Sequence, residues 1–242
     1  MIKAIIFDFT QTLVDSSQGF IHAEKNAQKK IFSSLELDDW GDYLKIYRQI
    51  RAEFMAKSGN SRLLIWQELC NNLSKKPRKD FLEDLEKDYW RQVNEHTFLF
   101  DETLMVLGKL VKRYKLGLIS NSQGQPNSSS NHLLQGFKIL DSYFQYILIA
   151  GENSIPAKPD SRPFKICLDQ LEINPSDAIY VGDDWKNDVI GSSNAGLQPV
   201  WLKHESVKRN WPNQEFSVPQ IFNLKQLLEL LSQNIVRSND RS

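Results

Sequence analysis

The apolar residues of the chain fall into two patterns, short continuous runs and longer stretches with helical spacing. Five short runs each precede turn residues or a helix-like segment: Ala4–Phe7, Leu116–Ser120, Tyr146–Ala150, Ala178–Val181 and Pro199–Leu202. Runs that are apolar at successive positions are typical of strands covered on both faces, as in parallel sheets. Between and after them, apolar residues recur every three or four positions, as from Phe164 to Leu171 and, in the last predicted helix, from Phe222 to Leu231; this spacing indicates helices. Strands alternating with helices predict an open, doubly wound α/β sheet.

Residues of roughly 17–97 show only the helical pattern. Apolar and aromatic side chains recur at helical spacing from Trp40 to Phe54, from Ile65 to Leu73 and from Leu82 to Val93. The pattern predicts an all-helical insertion of four helices with an aromatic core, between the first and second strands. We therefore predict a sheet domain formed by residues 1–16 and 98–236, a helical domain at 17–97 and a frayed polar tail at 237–242.

Composition and charge narrow the class of protein. The chain has 242 residues, of which 40% are apolar and 25% charged, as in a globular protein with a sizeable core. Thirty basic residues balance thirty acidic ones, so charge gives no reason to expect nucleic acid or a membrane as a partner. Cys70 and Cys167 lie far apart in apolar surroundings and are expected to be reduced core thiols. No apolar window is long enough for a signal peptide or a membrane span, so we expect a cytoplasmic protein, either a monomer or a homodimer.

Polar residues suited to catalysis follow the first four predicted strands. In chain order they are Asp8, Ser120, Asn121, Lys158, Asp183, Asp184 and Asp188. Ligands of open α/β sheets bind beyond the carboxyl ends of the strands, so these groups are expected to converge on one cleft. Carboxylates gathered in one cleft repel each other unless a cation joins them, and oxygen ligands favour Mg²⁺. A lysine and a serine beside that ion would bind the oxygens of a phosphoryl group.

Four segments of the chain resemble the four motifs of the haloacid dehalogenase-like hydrolase superfamily. In order, they are DFTQT, LISN, AKPD and VGDDWKND, and the predicted helical insertion resembles the C1-type cap of that superfamily. The resemblance implies a Rossmann-like core with a helical cap. It also implies a Mg²⁺-dependent phosphatase or phosphotransferase that acts on a small phosphorylated metabolite through an aspartyl-phosphate.

The position of each residue in these motifs implies its role. Asp8 would be the nucleophile, and Lys158 would balance the charge of the nucleophile and the phosphate. Ser120, with Asn121 beside it, would bind the phosphoryl group, and Thr12 would shape the turn and touch the phosphate.

The resemblance also implies a set of metal ligands. Asp8 and Asp183 would bind Mg²⁺, helped by Asp188 either directly or through water, and Asp184 is the second choice. Thr10 would contribute its backbone carbonyl, which threonine supplies as well as any residue.

The first motif departs from the family pattern at Thr10. Phosphatases of the family usually have an aspartate here, which protonates the leaving alcohol and then deprotonates the attacking water. A threonine hydroxyl does not exchange a proton near neutral pH. The loss of that aspartate as general acid and base is expected to slow the reaction by ~10²–10⁴. Gln11, where glycine is common, adds bulk to the same turn.

Three functions stay open from the residues. The favoured one is a phosphatase limited to good leaving groups or supplied with an acid by the substrate or by Asp15, His22 or Glu24. The second is a binding or regulatory protein that keeps the fold without hydrolysis. The third is a 2-haloacid dehalogenase, which needs no Mg²⁺ and leaves the acids after the fourth strand unexplained. That activity also requires an arginine for the substrate carboxylate, for which Arg48 and Arg51 are the candidates.

Overall fold

The structure is a computed structural model that describes residues 1–56, 61–122, 124 and 132–239. The chain divides into two compact units. The sheet unit comprises Met1–Asp15, Phe98–Asn121 and the described residues from Phe137 onward. The helical unit comprises Ser16–Thr97 and the described residues between Ser122 and Gly136.

Six parallel strands form the centre of the sheet unit within the described residues. They are β1 (Ala4–Phe7), β4 (Lys115–Asn121), β5 (Tyr146–Ala150), β6 (Ala178–Gly182), β7 (Gln198–Leu202) and β8 (Gln220–Ile221), with β2 (Val14–Asp15) and β3 (Phe98–Leu99) forming a separate antiparallel pair. The order in the sheet is β5-β4-β1-β6-β7-β8. The five predicted strands are all present, with bounds that agree within one residue. This parallel sheet with its helices confirms the predicted fold class.

The register of the sheet brings the carboxyl ends of its central strands together. Phe7, the last residue of β1, pairs with Leu118 of β4 on one side and with Val181 of β6 on the other. Every residue of β1 and of β6 is buried, which explains why both segments read as continuous apolar runs. Residues that directly follow these strands are therefore neighbours in space.

Helical segments complete the sheet unit. They are α5 (Thr103–Leu110), α6 (Ser161–Leu171), α7 (Gly191–Asn194) and α8 (Lys225–Asn239), with a π-helical turn at Trp185–Ile190 and a 3₁₀ segment at Pro175–Asp177. A further 3₁₀ segment, Leu133–Ser142, has residues in both units, since the sheet unit resumes at Phe137. The apolar face of α6 packs in the core with Ile119 and Leu148 of the sheet. Its packing buries Phe164 and Leu171, the residues from which the helix was predicted, and each such side chain stabilises the fold by roughly 1.5–3 kcal/mol.

The last helix differs from its predicted extent at both ends. The prediction placed Phe222 on its apolar face, but Phe222 is 48% exposed and the helix begins at Lys225. Asn223 accepts a hydrogen bond from the backbone of Gln226, which suits the start of a helix better than its interior. The helix continues to Asn239, and the rest of the predicted tail, 240–242, lies outside the described residues.

Four helices make up the described part of residues 17–97. They are α1 (Ser17–Ser34), α2 (Trp40–Ala56), α3 (Arg62–Asn72) and α4 (Phe81–Glu95). Gly19 lets α1 approach α4 closely, because a β-carbon there would lie 2.7 Å from the carbonyl oxygen of Val93. Tyr47, Trp66 and Tyr89 are almost fully buried, so the aromatic residues form a core as predicted.

Two observations bear on the environment of the protein. Cys70 and Cys167 are both free and buried, as expected, and burial raises the pKa of the Cys167 thiol to about 12. Across the described part of the chain, every helix is too short or too polar to pass through a bilayer.

Candidate active site

Asp8 lies directly after the central strand β1, and backbone pairing fixes its position. Its N–H donates to the carbonyl of Val181 over 2.9 Å, which continues the pairing of β1 with β6. Backbone hydrogen bonds within residues 9–14 close a tight turn behind it. Gln11 in this turn has a φ of 59°, the region that favours glycine, and side chains there carry about 1–2 kcal/mol of strain. From the same turn, Thr12 Oγ1 donates to Asp8 Oδ2 over 3.4 Å.

The ammonium group of Lys158 joins the ends of three strands. Its four acceptors within hydrogen-bonding distance are Asp8 Oδ1 at 2.6 Å, Asp188 Oδ1 at 2.7 Å, Tyr180 Oη at 2.8 Å and the carbonyl oxygen of Ile119 at 3.0 Å. Burial alone would lower the pKa of Lys158, but Asp188 and Asp8 outweigh it and raise that pKa above its ordinary value. The lysine is therefore a fixed positive charge beside the predicted nucleophile.

Asn121, at the end of β4, holds the backbone that carries Lys158. Its Oδ1 accepts from the Lys158 N–H over 2.8 Å, and its Nδ2 donates to the Lys158 carbonyl over 3.1 Å. This pairing is what a positioning residue would make, and the predicted contact of Asn121 with phosphate stays a prediction. Ser120 precedes it in the strand and is 1% exposed. Both residues lie on the strand next to β1, which Asp8 directly follows.

Three carboxylates come together at this edge of the sheet. Oxygen atoms of Asp8, Asp183 and Asp188 lie within 4.8 Å of one another, and all three residues are buried. Burial, followed by the charge of Asp8, raises the pKa of Asp188 to about 7 although Lys158 opposes the shift. Burial and the charges of Asp8 and Asp188 also raise the pKa of Asp183 well above its usual range. Three buried carboxylates repel each other when ionised, and a bound cation relieves this repulsion. These residues therefore fit a divalent ion with oxygen ligands.

The neighbouring acid, Asp184, has a different environment. Its Oδ1 accepts from the backbone of Asn187 over 2.8 Å and so caps the π-helical turn. Its own N–H donates to Asp188 Oδ2 over 2.9 Å and helps to orient that carboxylate. This arrangement favours Asp188 over Asp184 as the metal ligand. Thr10, the remaining predicted ligand, lies in the turn after β1 and forms an isolated bridge with Val14.

Gly182 makes room for Asp188. A β-carbon at Gly182 would lie 2.5 Å from Asp188 Oδ2, closer than atoms approach without a bond. Because Gly182 is the last residue of β6, its lack of a side chain lets the carboxylate turn back over the strand end. The glycine in the VGDD segment is thus explained by packing rather than by turn geometry.

Three residues of the site were not predicted from the sequence. Tyr180 contacts Lys158 and also donates to Asp188 Oδ1 over 3.3 Å, while burial and the charge of Asp188 raise its pKa well above the usual value. Arg209 Nη1 donates to Asp183 Oδ2 over 2.5 Å. Trp201 Nε1 donates to the carbonyl of Asp183 over 2.9 Å. A tyrosine within a buried strand was a usable signal, since its hydroxyl needs a partner, whereas the position of Arg209 depends on the path of a long connection.

Glu24, one of the candidate proton donors, belongs to an ionic network inside the helical unit. Its carboxylate lies 3.4 Å from Arg51 and 3.4 Å from Arg62, and it accepts from Tyr47 and Tyr89. Both of its oxygens therefore have partners within that unit. The same contact occupies Arg51, which was a candidate for binding a haloacid carboxylate.

Fold and site together define a class of enzyme: a parallel α/β core in which three aspartates and a lysine meet at the carboxyl ends of the strands. Residues 5–202 match the family model described as haloacid dehalogenase-like hydrolase. Because the match covers most of the chain, the protein belongs to this family of hydrolases. The predicted family is thereby confirmed.

Relatives with curated names in this family include phosphatases. The chain is 28% identical to mouse N-acylneuraminate-9-phosphatase over 211 residues, which cover 83% of this chain and 82% of the relative. It is 27% identical to glyceraldehyde 3-phosphate phosphatase of Pyrococcus furiosus over 239 residues, which cover 95% and 93%. These relatives support the predicted enzyme class, a hydrolase of the phosphatase type.

Solved structures share the fold. A HAD phosphatase from Thermococcus onnurineus superposes with a TM-score of 0.71 at 19% identity, covering 95% of this chain and 98% of that one. A 2-haloacid dehalogenase from Pseudomonas syringae superposes with a TM-score of 0.67 at 22% identity, covering 96% and 99%. At such identities the likeness establishes the fold and does not distinguish between the two chemistries.

Proposed function

We propose that the protein is a Mg²⁺-dependent phosphatase or phosphotransferase that acts on a small phosphorylated metabolite through an aspartyl-phosphate on Asp8. The observation that carries the proposal is the cluster of Asp8, Asp183 and Asp188 with Lys158 inserted between two of its members. The named phosphatase relatives support a small phosphorylated substrate. The helical domain predicted at 17–97 would serve as the cap that selects it.

The metal proposal rests on the donors present. Asp8, Asp183 and Asp188 would hold Mg²⁺ together with the carbonyl of Thr10. An ion fits here because the three carboxylates are buried and the nearby positive side chains do not balance all of their negative charge. When bound, Mg²⁺ neutralises the carboxylates and the phosphoryl oxygens and so supplies electrostatic stabilisation. Asp188 is the preferred ligand over Asp184, whose carboxylate caps a helical turn.

The contacts of Asp8 suit it to nucleophilic attack. Lys158 binds one of its carboxylate oxygens and Thr12 contacts the other, so the group is oriented and its charge is balanced. A carboxylate oxygen would attack phosphorus while the leaving oxygen departs, and water would then cleave the acyl phosphate. Lys158 stays positive through both steps, and it would contact the transferred group together with Ser120 and Thr12.

Thr10 limits the range of substrates in this proposal. Since its hydroxyl does not deliver a proton near neutral pH, an alkyl leaving group would depart as an unstable alkoxide. Substrates whose leaving groups need no protonation, such as acyl or aryl phosphates, would react with less hindrance. Alkyl phosphates would be slower by about 10²–10⁴, the usual contribution of a general acid.

The test is hydrolysis of acetyl phosphate and p-nitrophenyl phosphate with Mg²⁺ and with EDTA. We expect turnover that EDTA abolishes and that Asp8→Asn removes, because the amide is not a nucleophile of comparable strength. Metal-dependent thermal stabilisation without turnover on a panel of phosphates would instead favour a binding protein. Halide release from a 2-haloacid without metal would overturn the proposal in favour of a dehalogenase.

A further inference from the structure

Arg209 is a cation at the site that the proposed mechanism does not use. It lies in the connection between β7 and β8, and it donates to Asp183 Oδ2 over 2.5 Å and to the Asp183 carbonyl over 3.3 Å. Lys158 binds the other two carboxylates of the cluster. Within the described residues, Arg209 is the ion-pair partner of Asp183.

Aromatic packing holds Arg209 in place. Its guanidinium lies 4.4 Å from the ring centroid of Trp211, which suits a cation–π contact. Trp211 in turn packs edge-on against Trp201, with 6.0 Å between ring centroids. Although its side chain is 31% exposed, Arg209 is therefore part of a packed cluster and not a loose surface contact.

Contacts other than those of Arg209 also hold Asp183 in position. Asp183 follows β6 directly, and the indole of the fully buried Trp201 already binds its carbonyl over 2.9 Å. What Arg209 adds is positive charge at the carboxylate itself. A bound divalent cation would need that same carboxylate.

We propose that Arg209 is an internal competitor of the divalent cation at Asp183: it neutralises the carboxylate in the metal-free protein and weakens metal binding. The inference rests on the metal dependence proposed above. If so, the affinity for Mg²⁺ depends on the β7–β8 connection as well as on the three aspartates.

The charge of the cluster determines the sign of the effect. Asp8, Asp183 and Asp188 with Lys158 have a formal charge of −2, which a divalent ion balances. Arg209 reduces this charge to −1. A unit charge about 5 Å from a divalent ion, in a water-like dielectric, changes its affinity by about tenfold.

The experiment is calorimetric titration of EDTA-stripped protein with Mg²⁺. Arg209→Gln is expected to bind Mg²⁺ about tenfold more tightly than the wild type. It should also melt at a lower temperature in EDTA, because Asp183 loses its counter-ion. Arg209→Met keeps the aliphatic contact with Trp211 and is expected to show the same tightening.

Lys208→Gln is the matched control. It removes the same charge from the neighbouring position, and Lys208 is exposed and makes no ion pair with a carboxylate among the described residues. Because Lys208 is exposed, solvent screens its charge, so the Mg²⁺ affinity of this variant should stay within about twofold of the wild type. A difference between Arg209 and Lys208 variants therefore reports the local contact and not net charge.

Each outcome decides the inference. If the wild type binds Mg²⁺ and both Arg209 variants bind it equally or more weakly, the competitor role is wrong while the proposed metal dependence stands. If neither the wild type nor the variants bind Mg²⁺, both proposals fail. Binding by the variants with little or none by the wild type would support the competitor role most strongly.

Discussion

Replacing Lys158 by methionine removes the positive charge that two buried carboxylates share. Methionine has nearly the same length, so packing changes little and the loss is electrostatic. The lysine lies 2.6 Å from Asp8 and 2.7 Å from Asp188, and its side chain is 2% exposed. Breaking a buried ion pair by removing one partner costs about 3–5 kcal/mol, because the remaining charge stays in a poorly solvating environment. We expect Lys158→Met to lower the free energy of unfolding by up to that amount without metal at about pH 9, above the pKa of Asp188 in the wild type.

The loss should depend on pH in a defined direction. Burial and neighbouring charges already raise the pKa of Asp188 to about 7, and removing the lysine raises it further. A carboxyl whose folded-state pKa lies above its unfolded value destabilises the fold when it is ionised, so protonation restores stability. The difference between variant and wild type should therefore shrink as pH falls from about 9 towards 7, where Asp188 becomes protonated in both proteins.

Urea denaturation in EDTA at several pH values is the assay, with Lys165→Met as the control. Lys165 lies on the exposed face of α6, and its replacement should change the free energy of unfolding by less than about 0.5 kcal/mol. Asp188→Asn in the Lys158→Met background should recover part of the loss, because it removes one of the unpaired charges. A loss below about 1 kcal/mol, or one independent of pH, would refute the reasoning.

Three further outcomes are expected. Gly182→Ala should destabilise the fold by about 1–3 kcal/mol and weaken Mg²⁺ binding, because the new β-carbon would lie 2.5 Å from Asp188 Oδ2. Urea denaturation measures the first effect and calorimetry the second. Unchanged Mg²⁺ affinity would count against Asp188 as a ligand. Glu24→Ala should cost about 3–5 kcal/mol in urea denaturation by leaving Arg62 without its carboxylate, and a loss under about 1 kcal/mol would show that the network contributes little. Thr10→Asp should raise kcat on alkyl phosphates by ~10²–10⁴ and much less on p-nitrophenyl phosphate; no gain on either would mean that another group supplies the proton.

Most of the sheet was predictable because parallel strands are buried on both faces. Four of the five predicted strands consist mainly of residues buried in the structure, so apolar continuity located them. Strand β8 was not predicted because a segment of two residues is too short to show a pattern. The start of the last helix was misplaced because Phe222 fits the helical spacing while its side chain faces solvent.

The site was predictable as far as it depends on strand ends. Asp8, Lys158 and Asp183 follow or lie near such ends, and parallel strands aligned in register bring them together. Arg209 reaches Asp183 from 26 positions away through a connection without regular structure at that point, and spacing carries no information about such a path. The contact of Tyr180 with Lys158 likewise depends on how the lysine side chain packs in the folded protein, which the sequence does not indicate.

The proposed function requires that Asp8 accepts a phosphoryl group beside a Mg²⁺ ion held by Asp183 and Asp188. A crystal structure of the protein with Mg²⁺ and beryllium fluoride tests it most directly. We predict the fluoride mimic on an oxygen of Asp8, the ion bound to all three aspartates, and Lys158 in contact with the mimic. A mimic bound elsewhere, or an Asp8 turned away from Asp183 and Lys158 with no ion among them, would contradict it.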